Sequence, residues 1–256
     1  MRSLIFIPIS LILIFSIFTS SCLENKKPNP RLTLFIGIDI SGSYKKSEHY
    51  VNSLDFISHY IYAHLNGLGD LETPANLFVG TIGGSKSNEP KTFFPIQAFQ
   101  DKSVEQIRAK IDEIFSLEKE NRYTDFNAFF KHIAATVEDR KLILRPISVV
   151  LLTDGDPDFA NTGKNQKYKK IDLSPLENLS RDVTIRLLYT DANTSAGWKD
   201  SVRRKRIKVW TQDAIVMKDW RESNVFLPGT PIEQQTKFFK WINNNVDFGV
   251  RLKRVD

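Results

Sequence analysis

The sequence predicts an α/β fold, a doubly wound and mainly parallel sheet flanked by helices. Three observations carry this. Residues 32–38 and 146–153 are short runs, apolar on both faces, which suits central strands covered by two layers. Longer segments between such runs repeat their apolar residues at three and four, the period of a helix packed on one side. The two kinds of segment alternate along most of the chain, the order that puts helices on both faces of a parallel sheet.

Composition agrees. The chain has 256 residues, 41% hydrophobic and 26% charged, with 18 Phe, 7 Tyr and 4 Trp, enough apolar area to build a core and to exclude a disordered chain. Only one long apolar run exists, at the N-terminus, which excludes a multi-pass membrane protein. Lys and Arg outnumber Asp and Glu by 36 to 30. That mild excess speaks for solubility and attraction to acidic surfaces, not for nucleic acid.

Arg2 gives the N-terminus a positive start, and Leu4 to Phe18 follow as a nearly unbroken apolar stretch. It is shorter than the roughly 20 residues a spanning helix needs. Thr19, Ser20 and Ser21 are small or polar, and Cys22 comes next. This resembles the lipobox of bacterial lipoproteins, with Thr19 where Leu is usual. The resemblance implies a signal peptide over 1–21, lipids on Cys22, and a membrane anchor in the bacterial cell envelope, periplasmic or surface-exposed. Cys22 is the only cysteine, so an internal disulfide and a cysteine-rich metal site are excluded. Residues 22–31, polar and with Pro28 and Pro30, read as a tether, and 32–256 as one domain.

Within that domain the first strand covers 32–38 and ends at Asp39. A helix over 47–65 presents Leu54, Ile57, Ile61 and Leu65 to one side and stops at Asn66-Gly67. A strand over 76–82 ends at Gly83-Gly84, and 92–96 suggests a short strand. Ser103, with Gln106 three residues on, caps a helix whose inner face is Val104, Ile107, Ile111, Ile114 and Phe115. A third helix over 125–140 turns Phe126, Phe129, Phe130, Ile133 and Val137 inward. Strands over 146–153 and 183–189 follow. Residues 202–210 and 214–217 fit helix or strand equally, and 232–246 reads as a closing helix.

Open α/β sheets bind ligands at the carboxyl ends of their strands. The first strand ends Asp39-Ile40-Ser41-Gly42-Ser43, where alternation lets one carboxylate and two hydroxyls face one point and Gly42 relaxes the turn. The strand over 146–153 ends Thr153-Asp154-Gly155 and puts a second carboxylate at the same rim. Thr124-Asp125 adds a hydroxyl and an acid ahead of the third helix. Either fragment alone is ordinary turn chemistry. Together they make an all-oxygen set, which suits a hard cation such as Mg²⁺.

Asp39-x-Ser41-x-Ser43, then Thr124, then Asp154-Gly155, resembles the metal-ion-dependent adhesion site of the von Willebrand factor type A (vWA) domain, over roughly residues 32–246. The resemblance implies a Rossmann-like sheet with Mg²⁺ or Mn²⁺ at its top. It implies Ser41 and Ser43 as direct ligands, Thr124 direct or through water, and Asp39 and Asp154 through water or direct. It also implies capture of an Asp or Glu side chain from a partner protein at an open coordination position. Asn121-Arg122-Tyr123 stands where Gly is frequent in the family. Gly83-Gly84 and the segment 155–174 are expected to line the same rim, with Lys164, Lys167, Lys169 and Lys170 steering an acidic partner.

A scaffold subunit with a structural metal is the alternative. A hydrolase fits less well. A haloacid-dehalogenase-like phosphatase needs a second acid where Ser41 stands, and a subtilisin-like protease needs His-Gly and Gly-Thr-Ser segments that are missing. The histidines fall on helices: His49, His59 and His64 are expected at a helix surface and His132 beside the core. No dinucleotide fingerprint is present. Arg203-Arg204-Lys205-Arg206 with Lys208 reads as a solvated face or as contact with anionic lipid head groups, and the four Trp as packing.

Overall fold

The computed structural model describes residues 29–83, 92–116, 124–159 and 164–247. The expected signal peptide, Cys22, most of the tether, Gly84, residues 121–123 and the last nine positions lie outside the described residues. The strands are β1 (Thr33–Ile38), β2 (Asn76–Thr81), β3 (Phe94–Pro95), β4 (Ile147–Leu152), β5 (Val183–Thr190) and β6 (Ile207–Asp213). They form one six-stranded sheet in the order β3-β2-β1-β4-β5-β6. Only the short edge strand β3 is antiparallel, pairing with β2. Outward growth in both directions from β1 and β4 is the doubly wound arrangement.

The helices are α1 (Gly42–Lys45), α2 (His49–Leu65), α3 (Val104–Ser116), α4 (Phe126–Asp139), α5 (Lys164–Lys167), α6 (Ser174–Glu177), α7 (Ala192–Ser201), α8 (Ala214–Lys218) and α9 (Thr236–Asn245). Strand alternation divides the core in two. Leu34, Ile36 and Ile38 of β1 face one cluster, with α2, α3 and α9. Phe35 faces the other, with Phe126, Phe129 and Phe130 of α4 and Trp198 of α7. The described core side chains all lie between Leu32 and Val246. Burying one such large side chain stabilises by about 1.5–3 kcal/mol.

Elements read from clear periodicity stand within two residues of expectation. The segment over 202–210 resolves as β6 from Ile207, and 214–217 as α8. The closing helix is shorter than expected, because a 3₁₀ turn at Ile232–Gln234 and the buried Gln235 precede α9. Gln235 spends its side chain on Leu227 and Thr230 of the preceding loop, at 2.7–2.9 Å. Two histidines depart from expectation. His59 packs on Trp220 and Phe226, with ring centroids at 5.2 and 5.1 Å, and His64 is 3% exposed. The cause is that α2 is wrapped on three sides, by the sheet, by α3 and by the segments running into α9, which leaves it little outer face. Among the described residues no helix is long and apolar enough to cross a membrane.

Candidate metal centre

Parallel pairing of β1 with β4 sets the site. Ile38 is in register with Leu152, and the Asp39 N–H donates to the Leu152 carbonyl at 2.9 Å. Adjacent strands are about 4.8 Å apart. The chains leaving them, one through Asp39 and one through Thr153-Asp154, therefore stay side by side at one rim.

After β1 the chain folds back on the Asp39 carboxylate. The Ser41 N–H donates to Asp39 Oδ1 at 2.8 Å, an Asx-type turn. Ser41 stands at the N-cap of α1, but its hydroxyl makes no capping bond. It lies 3.2 Å from the Ser43 hydroxyl. Gly42 is not needed for this turn. It is helical, and a Cβ there meets nothing within 4 Å.

The three loops then interlock. The Ser43 hydroxyl donates to Asp154 Oδ2 at 3.1 Å. The Thr124 hydroxyl, entering ahead of α4, donates to Asp39 Oδ2 at 3.5 Å. Thr153 donates to the same oxygen at 2.6 Å and accepts the Gly155 N–H at 2.9 Å. The Asp156 N–H donates to Asp154 Oδ1 at 3.1 Å. All five residues selected from the sequence meet in one network. Asp125 does not join it, because its carboxylate caps α4 by accepting the Ala128 N–H at 2.9 Å.

The site is sealed on one side and open on the other. Asp39 is 0% exposed, Ser41 3% and Thr124 4%, while Ser43 is exposed and Asp154 half-buried. Burial pushes the Asp39 carboxyl up to about 6, against the Thr153 and Ser41 hydrogen bonds, and the nearby Asp154 charge adds to the rise. Burial also raises Asp154, opposed by the Ser43 hydroxyl and the Lys167 charge. Among the described residues no cationic side chain hydrogen-bonds either carboxylate of the pair. Two desolvated acids and three hydroxyls gathered in one network feel only the more distant Lys167 charge, and a hard divalent ion supplies a countercharge in direct reach. The donor set therefore fits Mg²⁺ or Mn²⁺.

Beside Asp154 lies a cavity of about 690 Å³, walled by Asp156, Asp191, Asp200, Lys167, Tyr168 and Asn193 among others. Two of the four lysines expected to steer an acidic partner have partners of their own, Lys169 is exposed, and the Lys164 side chain lies outside the described residues. Lys167 is ion-paired with Asp156, and burial lowers its amine. Lys170 lies over the Phe159 ring, 5.8 Å from its centroid. The described wall is acidic because the chain leaving β4 delivers Asp154 and Asp156, the chain leaving β5 delivers Asp191, the cap of α7, and α7 itself adds Asp200. Gly83 stays at the rim, where its carbonyl accepts from Thr81 at 3.3 Å.

Sequence reasoning missed Thr153. It closes the apolar run read over 146–153, where Thr reads as β-propensity. The one available signal is its place directly before Asp154.

No known family profile matches the sequence, and no curated protein matches it. Solved structures of similar shape include proximal thread matrix protein 1 from the mussel byssus with a zinc-occupied MIDAS motif, at 12% identity and a TM-score of 0.42, covering 75% of this chain and 46% of that one. Manganese-loaded TRAP protein of Plasmodium vivax aligns at 18% identity and a TM-score of 0.46, covering 73% and 70%. The human COPII-coat protein Sec24c aligns at 10% identity and 0.41, covering 75% and 31%. This chain thus spans less than half of the mussel protein.

Proposed function

We propose that this chain is a vWA-like, divalent-metal-dependent protein-binding module of a bacterial envelope lipoprotein, anchored through Cys22. In this reading Asp39, Ser41, Ser43, Thr124 and Asp154 hold Mg²⁺ or Mn²⁺. The metal supplies a Lewis-acidic position for an Asp or Glu carboxylate of a partner protein. The chain's own residues do the rest. Thr153 and the Ser41 N–H hold the Asp39 carboxylate in one orientation. Ser43 links the first loop to Asp154, and Thr124 closes the buried side against water. The exposed Ser43 edge leaves the approach for a partner. Two acids roughly neutralise a divalent ion, and where they bind it through water the ion would keep unspent positive character for an incoming carboxylate.

The observation that carries the reading is the meeting of three separate loops on two carboxylates, with Thr124 within 3.5 Å of Asp39 and Ser43 within 3.1 Å of Asp154. No catalytic step is assigned. His59 is packed on Trp220, and His64 is bound through its ring to the Glu72 carbonyl at 2.8 Å, at the opposite end of the sheet from Asp39. The burial of Asp39 also favours a second reading, a scaffold subunit whose metal only braces the loops.

Calorimetric titration of Mg²⁺ and Mn²⁺ into the folded chain tests the site. The parent binds one ion, and Asp39→Ala and Asp154→Ala lose it. Unchanged binding by both variants ends the assignment. Capture of an envelope protein that is lost with chelator and with Asp154→Ala supports the binding module. Metal binding without metal-dependent capture leaves the scaffold.

A further inference from the structure

The opposite end of the sheet carries a second surface. The loops that precede the parallel strands gather there and are hydrogen-bonded to one another. The Thr33 N–H donates to the Pro146 carbonyl at 2.9 Å, the Leu144 N–H to the Leu179 carbonyl at 2.8 Å, and the Lys205 N–H to Glu177 Oε1 at 2.7 Å. β1 is six residues long, so this end lies about 20 Å from the Asp39 rim.

Two features mark it. First, the loop between α4 and β4 buries Leu142 at 5% exposure and turns its next two residues outward, Ile143 at 47% and Leu144 at 69%. They are two of the five large apolar side chains exposed among the described residues. Lys141 and Leu144 hold left-handed backbone, with φ of 56° and 70°, a conformation costing a non-glycine residue about 1 kcal/mol. The loop bears that cost while presenting apolar side chains to solvent. Second, Lys141, Arg181, Arg203, Lys205 and Arg206 are all exposed on these same loops. Of the acids nearby, Asp182 is paired with Lys208 at 3.2 Å and Glu177 receives the Lys205 N–H. Glu138 and Asp139, exposed in the last turn of α4, and Asp70 and Glu72, exposed in the loop ahead of β2, offset that charge, and the exposed Arg31 and Arg140 keep the balance at this end positive.

We propose that this end docks on an anionic lipid surface. Ile143 and Leu144 enter the interfacial layer, and the ring of long cationic side chains contacts head-group phosphates. The chain itself points to a bilayer rather than a protein partner. Residues 29–31 enter β1 at this end, exposed throughout, directly beside Pro146. Ten residues from Cys22 to Arg31 reach at most about 35 Å. A chain anchored at Cys22 therefore enters the domain at this end and brings it within that reach of the bilayer, and docking then selects this face over the others. The proposal rests on the proposed anchor for that delivery. The surface chemistry stands without it. Docking also fixes orientation, since it turns the metal centre away from the membrane.

The test is vesicle flotation with residues 22–256 carrying Cys22→Ser, which keeps the described core and removes the lipid. Vesicles of phosphatidylcholine alone are compared with vesicles containing phosphatidylglycerol. The parent floats with the anionic vesicles and not with the neutral ones, and high salt releases it. Arg203→Ser with Arg206→Ser weakens partitioning about fivefold for each charge removed. Ile143→Ser with Leu144→Ser weakens it at least about tenfold. Cooperative thermal melts confirm that both variants, altered only on exposed loops, are folded. Chelator and Asp154→Ala leave flotation unchanged, so failure of the metal reading and failure of this one are told apart. The proposal is overturned if the parent ignores anionic vesicles, if both double variants float like the parent, or if neutral vesicles bind equally.

Discussion

Replacing Thr153 by Val tests whether the Asp39 carboxylate is held by the chain leaving β4. Val keeps the shape and removes one hydroxyl. That hydroxyl donates to Asp39 Oδ2 at 2.6 Å and accepts from the Gly155 N–H at 2.9 Å, all within a site where Thr153 and Asp39 are 0% exposed. A hydrogen bond to a charged group contributes about 1.5–3 kcal/mol, and an orphaned buried donor costs about 1–3 kcal/mol. The two share one side chain, so the expected loss is about 3 kcal/mol. For a domain of this size that lowers Tm by roughly 6–12 °C. Partners that orient a ligand change metal affinity by about 10–100-fold. Differential scanning calorimetry of the metal-free chain and isothermal titration with Mg²⁺ read the two effects. Thr153→Ser keeps both hydrogen bonds and loses one methyl, so it retains near-parental affinity. If Thr153→Val melts and binds Mg²⁺ like the parent, Asp39 is positioned by something else and the account of the site fails.

Gly155, His59 and Asp247 carry three further expected outcomes. Gly155 holds φ at 74°, and a Cβ there meets Thr194 Cγ2 at 2.8 Å, so Gly155→Ala is expected to cost about 2–4 kcal/mol in a urea titration and to displace the neighbouring Asp154. Burial pushes His59 down to about 4, below its unfolded value near 6.5; the neutral ring's contribution is complete above pH 6.5 and declines toward pH 4, by about 3 kcal/mol in all, and His59→Phe should flatten that slope in pH-dependent melts. Asp247 accepts from Tyr60 at 3.1 Å and lies 3.5 Å from Arg186, itself 2% exposed; Asp247→Asn strands a buried cation and is expected to lose about 3–5 kcal/mol in chemical denaturation, part of it recovered by adding Arg186→Met.

How far the sequence carried the reading depends on what each residue answers to. β1 and β4 were legible because burial on both faces demands uninterrupted apolar residues. α3 and α4 were legible through period and capping, and the Ser103–Gln106 box is present as read, with the Gln106 N–H donating to the Ser103 hydroxyl at 3.3 Å and the Ser103 N–H to Gln106 Oε1 at 2.9 Å. α7 was not legible. Its sequence, ANTSAGWKDS, buries little beyond Thr194 and Trp198, and the helix is held by the Asp191 cap at 2.6 Å and the Trp198 indole donating to the Gly155 carbonyl at 2.8 Å. The cap is local but no apolar period follows it, and the Trp198 bond is a tertiary partnership that leaves none. The buried charges were illegible for the same reason. Arg186 reads as a polar break in a strand, and only the fold brings it to Asp247. Ser41, Ser43, Thr124 and Asp154 were found because each stands where an element ends. Thr153 was missed because the apolar run read over 146–153 absorbs it, although β4 itself ends one residue earlier, at Leu152.

The place of Thr153, one residue past the end of β4, explains why the site is coupled to the sheet. Asp39 is gripped by its own turn through Ser41, by the chain leaving β4 through Thr153 and by the α4 entry through Thr124. Side chains alternate faces along a strand, so a slip of β4 by one residue against β1 would replace the Thr153 hydroxyl by Leu152 or Asp154 and put an apolar group or a second charge on Asp39. The contacts that select the native register and those that orient the metal-facing carboxylate are the same contacts. A cation that binds the finished rim and not the unfolded chain must then stabilise the whole sheet in proportion to RT ln(1 + [M]/Kd), about 2.7 kcal/mol at a hundredfold excess over Kd. Amide hydrogen exchange in β1 and β4 separates this from a purely local effect: protection rises along the full length of both strands if register and site are one unit, and only in residues 39–43 and 153–156 if they are not.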